Sequence, residues 1–298
     1  MMKSSIQTTL LALALAAGGC GLTPSIPDPS QLAAAKAGGK SYEAFDQAVT
    51  EGDAAWARRA EGPDNIRKAI GSWETAYAVD QFDRHTLQHL TLAYYYLANY
   101  YTPDATERAK VHMKGNGYGV AATRLNPDIR KAMDVDGQKL EEAVVDHAAP
   151  GDIPGLYWMT VNLARAAENE PITTRARVAP KLKAVMETIY KLGPSYYWGG
   201  VHRFFGAYYI KAPAQSNPLE QSKREFERAT VEGKDNLENF VLMAEYYAKT
   251  KQDRPLYEKI LKDVLASKPE NDLPALRLDN AEARKRAKKM LETIDEDF

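Results

Sequence analysis

The stretch HRFFGAYY, residues 202–209, carries the pattern that decides the fold of this 298-residue chain. Large side chains stand at its first, fourth and eighth positions, and a small residue follows the fourth. The pattern recurs as LQHLTLAY (87–94), LYWMTVNL (156–163) and FVLMAEYY (240–247). Spacings of three and four residues place these side chains on one face of a helix. The small residues, which let a second helix approach closely, are Thr91, Thr160, Gly206 and Ala244.

A second pattern lies between these stretches. It begins with a small or apolar residue, has a large residue at its fifth position, and has another small or apolar residue at its eighth. It occurs in AIGSWETA (69–76), LKAVMETI (182–189), SKREFERA (222–229) and YEKILKDV (257–264). The two patterns together resemble the tetratricopeptide repeat (TPR), in which pairs of antiparallel helices stack into a solenoid. We therefore predict an all-α protein, an irregular TPR-like solenoid of helical hairpins.

The spacing of the small residues departs from a regular repeat. They recur at intervals of 69, 46 and 38 residues, whereas the standard unit has about 34. The first interval must therefore hold an extra helical pair or a long insertion. Clusters of Pro and Gly break the helical pattern, and period-2 alternation is absent, so no sheet is expected. We predict a single helical-repeat domain over residues 41–298.

The N-terminal residues 1–19 have the pattern of a secretory signal peptide, a basic start followed by an apolar run and small residues. Cys20 is the only cysteine of the chain. The small residues before it resemble a bacterial lipobox, which implies that Cys20 is lipidated. Residues 20–40, rich in Pro, Gly, Ser and Ala, are interpreted as a flexible tether. Gly21 rather than Asp after the cysteine favours the outer membrane over the inner one.

The segment YYWGGVHR, residues 196–203, combines aromatic side chains with two adjacent glycines. Helical spacing places Tyr197 on one stripe with Val201 and Phe204. Each glycine costs a helix on the order of 1 kcal/mol relative to Ala, so Gly199-Gly200 predicts a close backbone approach. The segment therefore indicates either a lined cavity or a subunit contact, with ordinary core packing as the simpler alternative.

Several stretches resemble the T-component (TatT) lipoprotein family of tripartite ATP-independent periplasmic (TRAP) transporters. They are AYYYLANYY (93–101), GYGVAATRLNP (117–127), PGLYWMTVNLARAAE (154–168), GGVHRFFGAYYIKAP (199–213) and LRLDNAEARKRAKKMLE (276–292). The resemblance implies a periplasmic, lipid-anchored helical protein that assembles as a trimer and partners the solute-binding protein of the transporter. It also implies a pore or cleft in each subunit. The candidate ligand- or pore-lining residues are Tyr197, Trp198, His202 and Arg203.

Two local motifs suggest chemistry that the sequence does not support. His85 and His89 have the spacing of a zinc-binding pair, but no Glu lies between them as H-E-x-x-H requires. We interpret them as solvated or capping histidines. The glycine-rich GNGYG (115–119) lacks the Lys-Ser/Thr of a phosphate-binding loop, so we expect a bend that precedes a helix. No metal site and no cofactor are predicted.

The composition narrows the classes of function. A formal net charge of −1 argues against a nucleic-acid-binding protein, which would carry a basic excess. No nucleophilic or acid–base motif indicates an enzyme. The favoured function is an accessory component of a TRAP-type uptake system that binds the solute-binding protein and a small apolar ligand. The alternative is a general TPR lipoprotein that scaffolds outer-membrane assembly or secretion.

Overall fold

The computed structural model describes residues 42–212 and 215–298 of the chain. Within these residues 14 α-helices and several short 3₁₀ turns follow one another and no strand occurs, which confirms the predicted all-α fold. The helices are α1 (Tyr42–Ala57), α2 (Pro63–Val79), α3 (Arg84–Tyr101), α4 (Ala105–Thr123), α5 (Pro127–Asp134), α6 (Leu140–His147), α7 (Ile153–Ala166), α8 (Ile172–Leu192), α9 (Tyr196–Lys211), α10 (Pro218–Glu232), α11 (Glu238–Leu242), α12 (Arg254–Ala266), α13 (Arg277–Glu292) and α14 (Ile294–Asp297). Helix α11 continues as a π-helix over Met243–Ala248.

The predicted signal peptide (1–19), the lipidation site Cys20 and the tether (20–40) lie outside the described residues. The assignment of residues 41–298 to a single domain, and the TPR-like order of the helices, remain predictions.

The predicted breaks at proline clusters are confirmed, and at some of them a side chain caps the helix that follows. Asp104 accepts a hydrogen bond of 2.8 Å from the backbone N–H of Glu107 at the start of α4. Asn126 does the same for Ile129 in α5, at 3.3 Å. These side chains satisfy backbone donors that have no partner within the helix, so the helix starts at these positions.

Helices that follow each other in the sequence pack in pairs, α1 with α2, α3 with α4, α9 with α10 and α12 with α13. Helix α7 packs against both α3 and α4. The short helices α5 and α6 pack against each other between these larger ones. Of the two alternatives that the 69-residue interval between Thr91 and Thr160 left open, an extra helical pair or a long insertion, these helices agree with the first.

All four small residues of the repeated pattern are buried. At Gly206 an added methyl group would lie 2.7 Å from the ring of Phe226 in α10, so the neighbouring helix approaches closely here. Thr91 of α3 approaches Gly119 of α4, where an added methyl group would lie 3.0 Å from the Thr91 side chain. The repeat-packing role of these residues is consistent with these contacts and remains a prediction.

The bend predicted for residues 115–119 is wrong, because this stretch lies inside the continuous helix α4. The glycines serve close packing between helices instead. A methyl group at Gly115 would lie 2.8 Å from Tyr94 in α3, and one at Gly119 would lie 2.5 Å from Met159 in α7. Tertiary packing outweighs the low helix propensity of glycine at these two positions.

Candidate functional site

The first turn of α9 is not α-helical. Tyr197 (φ 52°), Trp198 (φ 50°) and Gly199 (φ 73°) all have left-handed backbone angles. Tyr197 therefore does not share the helical stripe that the sequence predicted for it. Left-handed geometry costs a residue with a side chain roughly 1–2 kcal/mol, so contacts around the turn must stabilise it.

The side chain of Asn239 in α11 stabilises this turn. Its Nδ2 lies 3.0 Å from the carbonyl oxygen of Trp198. It also lies 2.9 Å and 2.8 Å from the carbonyl oxygens of Ala229 and Gly233, at the end of α10. A methyl group at Gly199 would lie 2.8 Å from the Ala229 carbonyl oxygen, so the predicted close backbone approach is confirmed.

Tyr197 points into a hydrogen-bonded cluster in the core. Its hydroxyl bonds to the hydroxyl of Tyr96 in α3, which donates to the buried carboxylate of Asp279 in α13 at 2.6 Å. Tyr100 donates to the same carboxylate at 3.1 Å. Burial raises the pKa of Asp279, although the two hydroxyl donors and nearby arginines oppose that shift. The cluster links α3, α9 and α13 and gives Tyr197 a structural contact.

His202 joins α9 to α10 and is fully buried. Its Nδ1 lies 2.7 Å from Glu225 Oε2, and its Nε2 lies 3.3 Å from Glu232 Oε2. The ring of Tyr190 packs edge-on against it at 5.0 Å between centroids. Protein carboxylates therefore lie near both nitrogens of His202, although the contact of Nε2 with Glu232 does not have hydrogen-bond geometry.

Arg203 is the candidate that faces open space. It is only 7% exposed, and it donates hydrogen bonds to the side-chain carbonyl of Asn239 at 2.6 Å and to the Tyr157 hydroxyl at 3.4 Å. Arg203 lines a cavity of about 190 Å³ that is formed mainly by residues of α7, α8 and α9. Tyr197, Trp198 and His202 are not among the residues lining this cavity.

The walls of the cavity are aromatic and aliphatic, with charged groups set among them. The aromatic residues are Tyr95, Tyr157, Phe204, Tyr208 and Tyr246. The aliphatic lining includes Val161, Val178, Leu182 and Leu242. The charged residues are Arg165, Glu168, Arg175, Arg203 and Lys211. Burial raises the pKa of Tyr95 to about 12, so its hydroxyl stays protonated at neutral pH.

Glu168 carries the only negative charge among these lining residues and is shared by two cations. It lies 2.9 Å from Arg165 Nη1 and 3.0 Å from Lys211 Nζ. Burial acts to raise the pKa of Glu168, but the charges of Arg165 and Lys211 outweigh burial and lower it to about 2. Glu168 is therefore ionised at neutral pH and neutralises part of the positive charge around it.

Sequence reasoning found Arg203 but missed Arg165, Glu168, Arg175 and Lys211. The three-residue spacing of Arg165 and Glu168 was the one local signal, and such a pair is common on exposed helix faces. Nothing in the sequence shows that these residues and Lys211 meet across one cavity.

The two histidines of α3 pack on each other with ring centroids 4.0 Å apart. His85 Nε2 lies 2.8 Å from Asp53 Oδ1, and His89 packs against Trp73 at 5.0 Å between centroids. Across residues 42–212 and 215–298, no cluster of three or more His, Cys, Asp or Glu side chains has an arrangement that could hold a metal ion.

Comparison with known proteins identifies a family whose model matches this chain. A family model described as TRAP transporter T-component matches residues 68–298, which is more than three quarters of the chain and includes every residue of the cavity. No curated protein matches the chain. Among the described helices, none combines the length and the apolar character needed to cross a membrane.

Proposed function

The chain belongs to the TRAP transporter T-component family, and from that premise we propose that it is the lipid-anchored periplasmic accessory subunit of a TRAP-type uptake system. Membership of this family supports an accessory role in transport and a place in the cell envelope. The proposal adds three finer points, which are an anchor at Cys20, binding of the solute-binding protein, and a small ligand in the cavity beside Arg203.

The anchor is proposed from the sequence. Cys20 follows the signal peptide, and the small residues before it resemble a lipobox. A diacyl chain together with residues 20–40 would hold the helical part of the protein close to the membrane surface. Gly21, directly after the cysteine, favours the outer membrane. Assembly as a trimer is likewise proposed from the family resemblance.

Binding of the solute-binding protein is the central point of the proposal. Paired helices that follow one another along the chain present extended surfaces, and such surfaces are a common basis for protein recognition. The motifs carry no catalytic residues, so a binding role agrees with the rest of the sequence. The single observation that carries the proposal is the family match over residues 68–298.

The test is co-purification with the solute-binding protein of the same transporter. We expect the full chain to retain that protein on an affinity resin and not a solute-binding protein from an unrelated transporter. Retention of neither protein, at concentrations up to about 100 μM, would refute the docking proposal, because weak but specific complexes have Kd values in the micromolar range. Co-purification with outer-membrane assembly proteins instead would favour the scaffold alternative.

The cavity is the proposed ligand site. Its aromatic lining and the few polar groups around it are the usual properties of small-molecule sites in proteins. Arg203 supplies an oriented charged donor at the wall.

A further inference from the structure

The charges around the cavity do not balance. Four basic side chains and one acidic side chain line it, a formal excess of three positive charges. The single acidic group, Glu168, is already paired with Arg165 and Lys211. The two remaining cations, Arg175 and Arg203, form no ion pair with any residue in the described part of the chain.

Arg203 is a buried cation whose partners are neutral. It bonds to the Asn239 side chain and the Tyr157 hydroxyl, neither of which carries a charge. The charges of Glu238 and Asp279 act on Arg203 from a distance, but neither forms an ion pair with it. Glu238 accepts from Arg286 at 3.0 Å, and Asp279 accepts from tyrosine hydroxyls. Burying a guanidinium without an ion-pair partner is unfavourable, and an anion in the cavity would reduce that penalty.

Arg175, in α8, provides an independent observation. Its Nε is shielded from solvent and has no hydrogen-bond partner among the described residues. Buried donors in folded proteins almost always have partners, so an unpaired one in the wall of a cavity indicates a missing acceptor. Arginine donates in a planar fork that matches a carboxylate.

The rest of the wall suits an apolar body. Val178 and Leu182 of α8 and Phe204 of α9 line the same cavity as these cations. An inorganic anion would leave these surfaces without contacts, whereas a molecule with a hydrocarbon or aromatic part would cover them.

We propose that the cavity binds a small organic carboxylate, with its anionic head on Arg203 and Arg175 and its apolar body against Val178, Leu182 and Phe204. This inference rests on the proposed ligand-binding role of the cavity and is independent of docking to the solute-binding protein. It replaces the apolar ligand expected from the sequence with an amphipathic anion.

The test compares three probes by isothermal titration calorimetry on the purified full chain. Octanoate carries both a charge and an apolar body, octanamide has the same body without the charge, and sulfate has a charge without the body. Because a hydrogen bond to a charged group is stronger than one to a neutral group, we expect octanoate to bind about tenfold or more tightly than octanamide. Sulfate should bind weakly or not at all.

Two substitutions on α8 form a matched pair. Arg175→Gln removes a cavity cation and should weaken octanoate binding about fivefold or more, as the loss of a charge-assisted contact predicts. Arg177→Gln removes an exposed arginine that does not line the cavity, and it should leave the affinity unchanged within about twofold.

Arg203→Gln should weaken octanoate binding further, and circular dichroism checks that this variant folds. Glu168→Gln removes the competing negative charge and should strengthen octanoate binding.

The outcomes separate this inference from the proposed function. Equal binding of octanoate and octanamide would overturn the anion site and leave an apolar ligand site in place. Equal binding of sulfate and octanoate would refute the inference that the ligand has an apolar body. If Arg175→Gln and Arg177→Gln had the same affinity for octanoate, the placement of the anionic head on Arg175 would be wrong. If no probe bound while co-purification succeeded, the ligand site would be refuted and the docking proposal would stand.

Discussion

Arg203 donates a hydrogen bond of 2.6 Å to the side-chain carbonyl of Asn239. The amide nitrogen of the same asparagine faces the carbonyl oxygens of Trp198, Ala229 and Gly233. One neutral side chain therefore orients the buried guanidinium in the cavity wall and also stabilises the left-handed turn that begins α9. The geometry of the cavity and the strained turn depend on each other through Asn239.

Replacement of Asn239 by alanine should destabilise the fold by about 2–4 kcal/mol, because buried carbonyl groups lose their donor and the Arg203 guanidinium loses its shorter hydrogen bond. Urea unfolding monitored by circular dichroism measures this loss. The matched control is Asn271→Ala at an exposed position, which should change stability by no more than about 0.5 kcal/mol. Similar stabilities for the two variants would show that Asn239 does not have this role.

Replacement of Gly206 by alanine should cost about 1–3 kcal/mol, because the added methyl group would be forced against the ring of Phe226. Gly71→Ala in α2 is the control, since an added methyl group meets no atom within 4 Å there. That substitution should stabilise the protein by about 0.5–1 kcal/mol through helix propensity alone. Thermal unfolding of the two variants should therefore shift in opposite directions, and shifts of the same sign would contradict the close packing of α9 on α10.

Because of Glu168, the free energy of unfolding should fall as the pH becomes acidic. Its pKa is lowered to about 2 from an ordinary value of 4.5, so the folded state favours the ionised form. Its contribution is fully present above pH 4.5 and is lost as the pH falls towards 2. After allowance for partial exposure, this contribution is about 1–2 kcal/mol at neutral pH.

Denaturant unfolding between pH 2 and pH 7 tests this dependence. Glu168→Gln should lower stability at pH 7 and flatten the decline below pH 4.5. Glu270→Gln, at an exposed position, should follow the unmodified chain at every pH. A profile for Glu168→Gln that parallels the unmodified chain would exclude the ion pairs with Arg165 and Lys211 as a source of stability.

The contact between His202 and Glu225 should be structural. His202→Leu leaves the largely buried Glu225 carboxylate without its partner at 2.7 Å, and the expected loss is about 2–4 kcal/mol. His147→Gln, on the exposed end of α6, is the control and should be nearly neutral. If His202→Leu instead folded with unchanged stability and altered only ligand binding, the sequence-based hypothesis of a lining residue would be favoured.

Replacement of Cys20 by alanine should release the protein from the membrane. Without the thiol there is no site for the diacyl chain, so the chain should move from the membrane fraction to the soluble periplasmic fraction. Mass spectrometry of the unmodified protein should show the lipid on its N-terminal residue. Membrane association that persists in the Cys20→Ala variant, together with the absence of a lipid mass, would refute the anchor.

The sequence by itself determined the helices, most of their ends and the family. These features depend on residues close together in the chain. Apolar side chains at spacings of three and four residues define a helical face, and clusters of Pro and Gly mark where one helix ends and the next begins. The long interval between Thr91 and Thr160 indicated an extra helical pair or a long insertion, and the structure contains α5 and α6 there.

Only the tertiary structure decided what the special residues do. Gly115 and Gly119 looked like a bend because glycine lowers helix propensity, but they lie inside α4 where α3 and α7 approach it. Tyr197 and His202 were predicted as lining residues because they are polar and aromatic beside a glycine pair, and the structure shows that their partners are Tyr96 in α3 and Glu225 in α10. Their role as lining residues remains a prediction. The cavity joins cations from α7, α8 and α9 with Tyr246 of the π-helix. Such a site depends on how helices distant in sequence pack together, and the local pattern of residues carries no information about that arrangement.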